Sequence, residues 1–446
     1  MRLDRRGILC GLLAGGMSCA LRSPTWAATD AGLTAAPQMK WHHFELPNGL
    51  RLHIWPNKTE YVSASLLLRA RQIASGDGGL AHLMEHTSFT GGAGHLSAAQ
   101  LKGLHKDILL QSNASTSVGA IEWQVSFLPQ DLQQALDILA VTSLDQKFDE
   151  ETVASEAKIV LQELYLDKHD VTRMHEKRVA RALFGSEHPY AQDTVDEEIA
   201  TAMSPPVRLA EQLRHYAAGL KLPANIDFFL AGGIDAAATE SAARSAFGNY
   251  RHAKAAMSEF PRVAVTRNHE RMNGPARKLA RPMCEVEITW NTGVCIQDRD
   301  ARTLMALREY LDSVLSLHLR EKYGEAYTPE IKYDPDMCSG VFTVSVTSSV
   351  SPVKVESSVF EAFNLAKQSV DPREVARFAG RVKLARLKAE DDNERLVDQM
   401  VQSTIDGGAP DALEIEGVTP DEILMAAKRY LPDQGGGYVC VALRGE

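Results

Sequence analysis

One order of strand-like and helix-like segments runs through the 446 residues twice, and this repetition restricts the fold more than any other feature of the chain. In the first half, alternation and short apolar runs mark strands at 50–55 (LRLHIW), 63–70 (SASLLLRA) and 121–128 (IEWQVSFL). A helix from Leu80 to Ser88 lies between the second and third of these, with Asp77 placed to cap it and Gly91-Gly92 to stop it. Helical periodicity follows over 131–143 and from Asp149 to about Asp170, and 225–235 closes the half with a strand and a turn. After a polar passage containing Gly and Pro, the order starts again: a strand at 284–292, a long helix over 298–322, a strand at 340–349, then helices from Pro352 and Asp371. A chain of this length exceeds what one core organises. The reading is therefore α+β, with two homologous domains, each an antiparallel sheet packed with helices. The expected spans are 41–250 for the first domain, 251–275 for a linker and 276–446 for the second domain, which lacks the histidines of the first.

The extreme N-terminus departs from this pattern. Arg2, Arg5 and Arg6 precede an apolar run from Gly7 to about Leu21, followed by small residues around Ala27. Residues 1–27 read as an export signal, which implies a periplasmic protein reached by the Sec or, given Arg5-Arg6, the twin-arginine route. The run is too short for a comfortable membrane span. Its removal takes away Arg2, Arg5, Arg6 and Arg22 but only Asp4, moving the formal charge from −10 to −13. So acidic a mature chain argues against nucleic acid as a partner and suits basic or unfolded peptides. With 44% hydrophobic and 24% charged residues, the composition is that of a globular protein with no multi-span membrane character. Cys284, Cys295, Cys338 and Cys440 remain after removal of the signal, with no CxxC spacing that would make a cysteine zinc site. One disulfide or four buried thiols are both compatible with that pattern.

The chemistry concentrates in His82-Leu83-Met84-Glu85-His86. On a helix, positions i and i+4 share a face, so both imidazoles can address one ion, and Glu85 flanks the same face as a base for metal-activated water. This is the inverted H-x-x-E-H motif of zinc peptidases. Zinc needs a third protein ligand, and His95, His105, Glu156, Glu163 and His169 are the candidates. His95 and His105 lie past the Gly91-Gly92 break and rank below a carboxylate held on a rigid helix. Glu156 and Glu163 stand seven apart, two turns along one helical face.

The segment GGLAHLMEHTSFTGG resembles the signature of the pitrilysin/insulinase family of zinc metallopeptidases, and the resemblance extends from about Trp41 to the C-terminal region, in the form of a two-domain bacterial processing peptidase. That family places its third ligand some 76 residues after the second histidine, and residues 87 to 162 separate His86 from Glu163 here. The resemblance thus implies Glu163 as the third ligand of one Zn²⁺ per chain and Glu156 as a supporting acid beside it. NASTS is similar to the family's edge-strand segment, which implies that Asn113 and Ala114 receive the substrate backbone. LREKYGEAY is similar to its Arg-x6-Tyr element, which implies that Arg320 and Tyr327 reach the substrate carbonyl from the second domain.

Together these imply a clamshell of two domains around a central chamber, hydrolysing unstructured peptides or polypeptide segments as an exported endopeptidase. Ser115 stands where the family often has an aromatic, and HPYAQDTVDEE lacks the usual glycine-rich form, so subsite preference is open. The rival reading is a non-catalytic scaffold or assembly subunit of the same fold, which usually loses ligand residues. A homodimer is the default assembly, with a heteromer of related subunits as the other option.

Overall fold

A computed structural model describes residues 41–70, 77–251, 253, 261–276, 279, 282–322, 329–390, 392–407, 415 and 417–445. The first half contains β1 (His42–Glu45), β2 (Arg51–Pro56), β3 (Val62–Arg69), α1 (Leu80–Thr87), α2 (Ala98–Ile108), β4 (Leu109–Ser117), β5 (Ala120–Phe127), α3 (Leu132–Leu144), α4 (Glu150–Lys168), α5 (Val171–Phe184), α6 (Val195–Ala202), α7 (Pro206–Leu220), β6 (Ile226–Gly232) and α8 (Ala236–Phe247). The second contains β7 (His269–Ala276), β8 (Cys284–Asn291), α9 (Asp300–Leu315), β9 (Glu330–Asp334), β10 (Val341–Ser348), α10 (Pro352–Gln368), α11 (Pro372–Ala389), α12 (Asn393–Ile405), α13 (Pro420–Tyr430) and β11 (Tyr438–Gly445).

The two sheets have one topology. The first runs β1-β2-β6-β3-β5-β4 and the second β7-β11-β8-β10-β9, so that β1 is the sole strand without a counterpart among the described residues. In each, one pair is parallel, β2 with β6 and β7 with β11, and the other pairs are antiparallel. Residues 269–275 were expected in a linker; they form most of β7 instead, because pairing with β11 satisfies a backbone whose polar side chains hide its strand character. The helix expected over 298–322 is α-helical only to Leu315 and continues as a π-helical segment, Ser316–Lys322. The four described cysteines are buried free thiols.

Each sheet is covered on one face by helices of its own half and on the other by a helix from the opposite half. On β3 and β6, Leu66, Leu68, Phe228 and Leu230 face the first core, whereas Leu67, Phe229 and Ala231 face Leu396, Val397, Met400 and Val401 of α12. This explains the unbroken apolar runs of those strands, since both faces are buried. Asn393, fully buried at the start of α12, donates to Thr59 Oγ1 (2.7 Å) and the Tyr61 carbonyl (2.9 Å), while Arg69 Nη1 donates to the Thr404 carbonyl (3.1 Å) near its end. In return, Val179 and Leu183 of α5 pack on Met272, Val341, Val439 and Val441 of the second sheet. No described helix is long and apolar enough to cross a membrane.

Candidate metal centre

The helix α1 carries His82, Glu85 and His86 and is only eight residues long, so tertiary contacts must hold it. Leu83 and Met84 bury one face in the first core. At the N-terminal end Gly78 and Gly79 adopt φ of 60° and 83°, a region that favours glycine. The N-cap is Gly79 rather than the expected Asp77, which stands two residues earlier and supports the helix start: its Oδ1 accepts from the Gly79 N–H (2.9 Å), its Oδ2 from the Ala81 N–H (3.4 Å), and Tyr216 fixes that carboxylate by donating to Oδ2 (3.0 Å). At the C-terminal end Gln146 Nε2 donates to the Met84 carbonyl and Thr87 Oγ1, both at 2.8 Å. The Lys221 ammonium in turn donates to Gln146 Oε1 and lies 5.9 Å and 5.6 Å from the ring centres of Trp123 and Phe148. Burial lowers the Lys221 pKa to about 7, with Asp145 opposing the shift. A cation here also complements the negative end of the α1 dipole.

Across from α1, the second and fourth turns of α4 present Glu156 and Glu163. Glu163 Oε2 lies 3.4 Å from His82 Nε2 and 3.4 Å from His86 Nε2. The ligand atoms of these three residues all lie within 4.8 Å of one another, the one such metal-capable group among the described residues. A tetrahedral ion with bonds of about 2.0–2.1 Å separates its ligand atoms by about 3.3–3.4 Å, so the spacing fits zinc. The imidazoles are buried, while the Glu163 side chain is 39% exposed, leaving access from one side.

Behind the histidines lie two buried carboxylates. Glu156 Oε2 is 3.4 Å from His86 Nδ1, and Glu198 Oε2 is 3.9 Å from His82 Nδ1. Burial raises the Glu156 pKa; a hydrogen bond with Thr90 opposes the shift and the Glu163 charge adds to it. Glu85 is 5% exposed, on the same helix as both imidazoles.

The other expected residues are placed as follows. Asn113, exposed, and Ala114, buried, lie on β4, the edge strand of the first sheet. Thr116 Oγ1 of β4 donates to the Ala81 carbonyl of α1 (3.5 Å), so that edge runs beside the histidine helix. Arg320 is exposed on the π-helical segment, and Tyr327 lies outside the described residues. Of the other candidate ligands, His105 is a core histidine with its pKa lowered to about 4 by burial. His95 and His169 are exposed. Glu198 was missed by sequence reasoning: in TVDEEIA it looks like an ordinary acidic residue in a first helical turn, and its burial was the only signal that could have singled it out.

This architecture and site define a class. Residues 71–197 match the family model of insulinase (peptidase family M16), and residues 208–379 match that of the peptidase M16 inactive domain. The chain is thus built from two peptidase M16 domains, with the His-His-Glu group in the first. A protease from Helicobacter pylori superposes with a TM-score of 0.76 at 16% identity, covering 91% of this chain and 99% of that one. The periplasmic protease PqqL from Escherichia coli gives 0.72 at 16% identity, covering 93% of this chain but 48% of its own. At such identities the likeness is one of fold. In sequence, a probable mitochondrial-processing peptidase subunit beta from Arabidopsis thaliana is 31% identical over 122 residues, 27% of this chain and 23% of that one. The matched stretch is thus less than a quarter of that relative.

Proposed function

We propose that this chain is an exported, zinc-dependent endopeptidase that hydrolyses unstructured peptides or polypeptide segments, with one Zn²⁺ held by His82, His86 and Glu163. The observation that carries the reading is the meeting of Glu163 Oε2 with both Nε2 atoms at 3.4 Å, from two separate helices. The match to an inactive-domain model begins at residue 208, within the first half but after His82, Glu85, His86 and Glu163, so it contains none of the ligands and does not favour the scaffold reading.

A bound zinc ion supplies Lewis acidity and brings water toward ionisation near neutral pH. Glu85 takes the proton of the attacking water and returns it to the leaving amine. The Glu156 carboxylate orients His86 through Nδ1. The exposed edge of β4, around Asn113 and Ala114, accepts the substrate as an added strand, which selects extended and therefore unfolded chains. Arg320 and Tyr327, from the second domain, hydrogen-bond the substrate carbonyl as charge develops. Movement about the segment between the domains opens and closes a chamber over the site. The short apolar run after Arg2, Arg5 and Arg6 supports export, and the periplasmic PqqL shares the fold. A homodimer is the assembly proposed.

The test compares mature wild type with Glu85→Gln for zinc content and for hydrolysis of casein. About one zinc per chain in both proteins, with chelator-sensitive cleavage by wild type alone, is the expected result. Appreciable cleavage by Glu85→Gln would remove Glu85 as the base, and absence of zinc from wild type would remove the metal centre.

A further inference from the structure

We infer that Glu198 is a positioning residue for His82, fixing its tautomer and tightening the metal site; the inference rests on the metal centre proposed above. Glu198 is 3% exposed on α6, an element that contributes no ligand. Its two carboxylate oxygens face different groups. Oε1 accepts from Thr194 Oγ1 at 2.6 Å, which sets the orientation of the carboxylate. Oε2 faces His82 Nδ1 at 3.9 Å. His82 is itself 6% exposed, and its Nδ1 is a buried polar atom without a hydrogen-bond partner among the described residues. A shift of about 0.7 Å brings the two atoms into hydrogen-bond range.

The backbone of α1 is shaped to admit this carboxylate. A Cβ on Gly79 would stand 2.8 Å from Glu198 Cγ and 3.2 Å from Oε2, so the approach needs glycine there independently of its φ of 83°. The arrangement repeats that of the other histidine, where Glu156 Oε2 faces His86 Nδ1. Each imidazole thereby turns Nε2 to the Glu163 side and Nδ1 to a buried carboxylate.

The chemistry follows from the tautomer. A neutral imidazole carries one proton; an acceptor at Nδ1 holds it there and leaves the Nε2 lone pair for the metal. The carboxylate also raises the basicity of Nε2, and such partners typically contribute about 10–100-fold to metal affinity. Without Glu198, His82 would also populate the Nε2–H tautomer, which has no lone pair on the Glu163 side and must move its proton to Nδ1 before Nε2 can ligate.

The experiment measures the zinc dissociation constant of the full mature chain by competition with a chromophoric chelator, for wild type, Glu198→Gln and Glu198→Ala. The melting temperature of each protein is recorded with and without zinc. Glu198→Ala is expected to bind zinc about 10–100-fold more weakly, with a smaller loss for Glu198→Gln, whose amide oxygen still accepts from Nδ1–H without the charge. The metal-free melting temperature of Glu198→Gln is expected to match wild type, while its zinc-induced rise shrinks. Equal affinity in all three proteins would overturn the assignment. So would an affinity loss in Glu198→Gln matched by an equal fall in metal-free stability, which marks a purely structural role. Failure of wild type to bind zinc would instead overturn the metal centre, and is distinguishable because the variants then have no affinity to lose.

Discussion

Replacing Asp227 by Asn should destabilise the chain by about 3 kcal/mol without touching the metal centre. Asp227, 3% exposed on β6, faces α12, on the side of the sheet away from α1. Arg51 donates to both its oxygens, at 2.7 Å and 2.8 Å, and Arg69 Nη2 to Oδ2 at 2.8 Å; His53 Nε2 lies 3.2 Å from Oδ1. Asn keeps the shape, removes the one negative charge between two guanidinium groups and turns an amide N–H toward donors. Breaking a buried pair in this way costs about 3–5 kcal/mol. The lower end applies, because the Arg51 and Arg69 side chains are 30% and 21% exposed and water screens part of the repulsion. At 2–4 °C per kcal/mol this corresponds to a melting temperature lower by about 6–12 °C, measurable by calorimetry. The effect should depend on pH with a definite sign. Burial opposes the charged form of Asp227, but the bonds from Arg51 and His53 and the Arg69 charge outweigh it and hold the carboxyl well below its usual range. Its contribution is therefore nearly complete above about pH 4 and is lost progressively below that as pH falls to the lower folded value, where wild type and variant converge. A loss below about 1 kcal/mol at pH 7, or a difference that vanished already near pH 5, would refute the reasoning.

Three further outcomes are expected. Because the folded chain releases the Lys221 proton near pH 7 and the unfolded chain near 10.5, unfolding takes up a proton in between; urea midpoints of wild type should rise from pH 7 to 10 relative to Lys221→Met. Gly79→Ala should cost at least about 1–2 kcal/mol for its left-handed backbone and weaken zinc binding through the clash with Glu198, whereas Gly103→Ala, in open space within α2, should stabilise by about 0.5–1 kcal/mol in the same urea titration. Met400→Ala should cost about 2–5 kcal/mol in chemical denaturation, even though every apolar side chain it touches in its cluster outside α12 comes from the first half.

Much of this was legible in the sequence because it is local. Strands such as 121–128 announce themselves by composition, and the i, i+4 spacing of His82 and His86 is enough by itself to place both on one helical face. The seven-residue step from Glu156 to Glu163 likewise puts two carboxylates on one stripe of α4, although choosing Glu163 as a ligand needed the family resemblance. What was not legible depends on which surfaces meet. Periodicity gives α12 an apolar face but cannot say that it covers the sheet of the other half. The polar strand β7 is defined by its parallel partner β11, which lies far along the chain. Glu198 gained its interest from the fold of α6 over Gly79, a contact that no spacing rule encodes.

The exchanged helices have a consequence for synthesis. The first sheet is complete at Gly232, yet the helix that covers its outer face ends at Ile405, 173 residues later. At 5–20 residues per second the ribosome needs roughly 10–30 s to supply it. During that interval Trp55, Leu67 and Phe229 lack the cover of α12 and are shielded from their own half only in part, by Trp41 against Trp55 and Phe229 and by His53 stacked on Phe229. The nascent N-terminal half therefore waits, incomplete and adhesive, on α12, and a holding chaperone acting in that window should raise the yield of folded protein more than one acting after release.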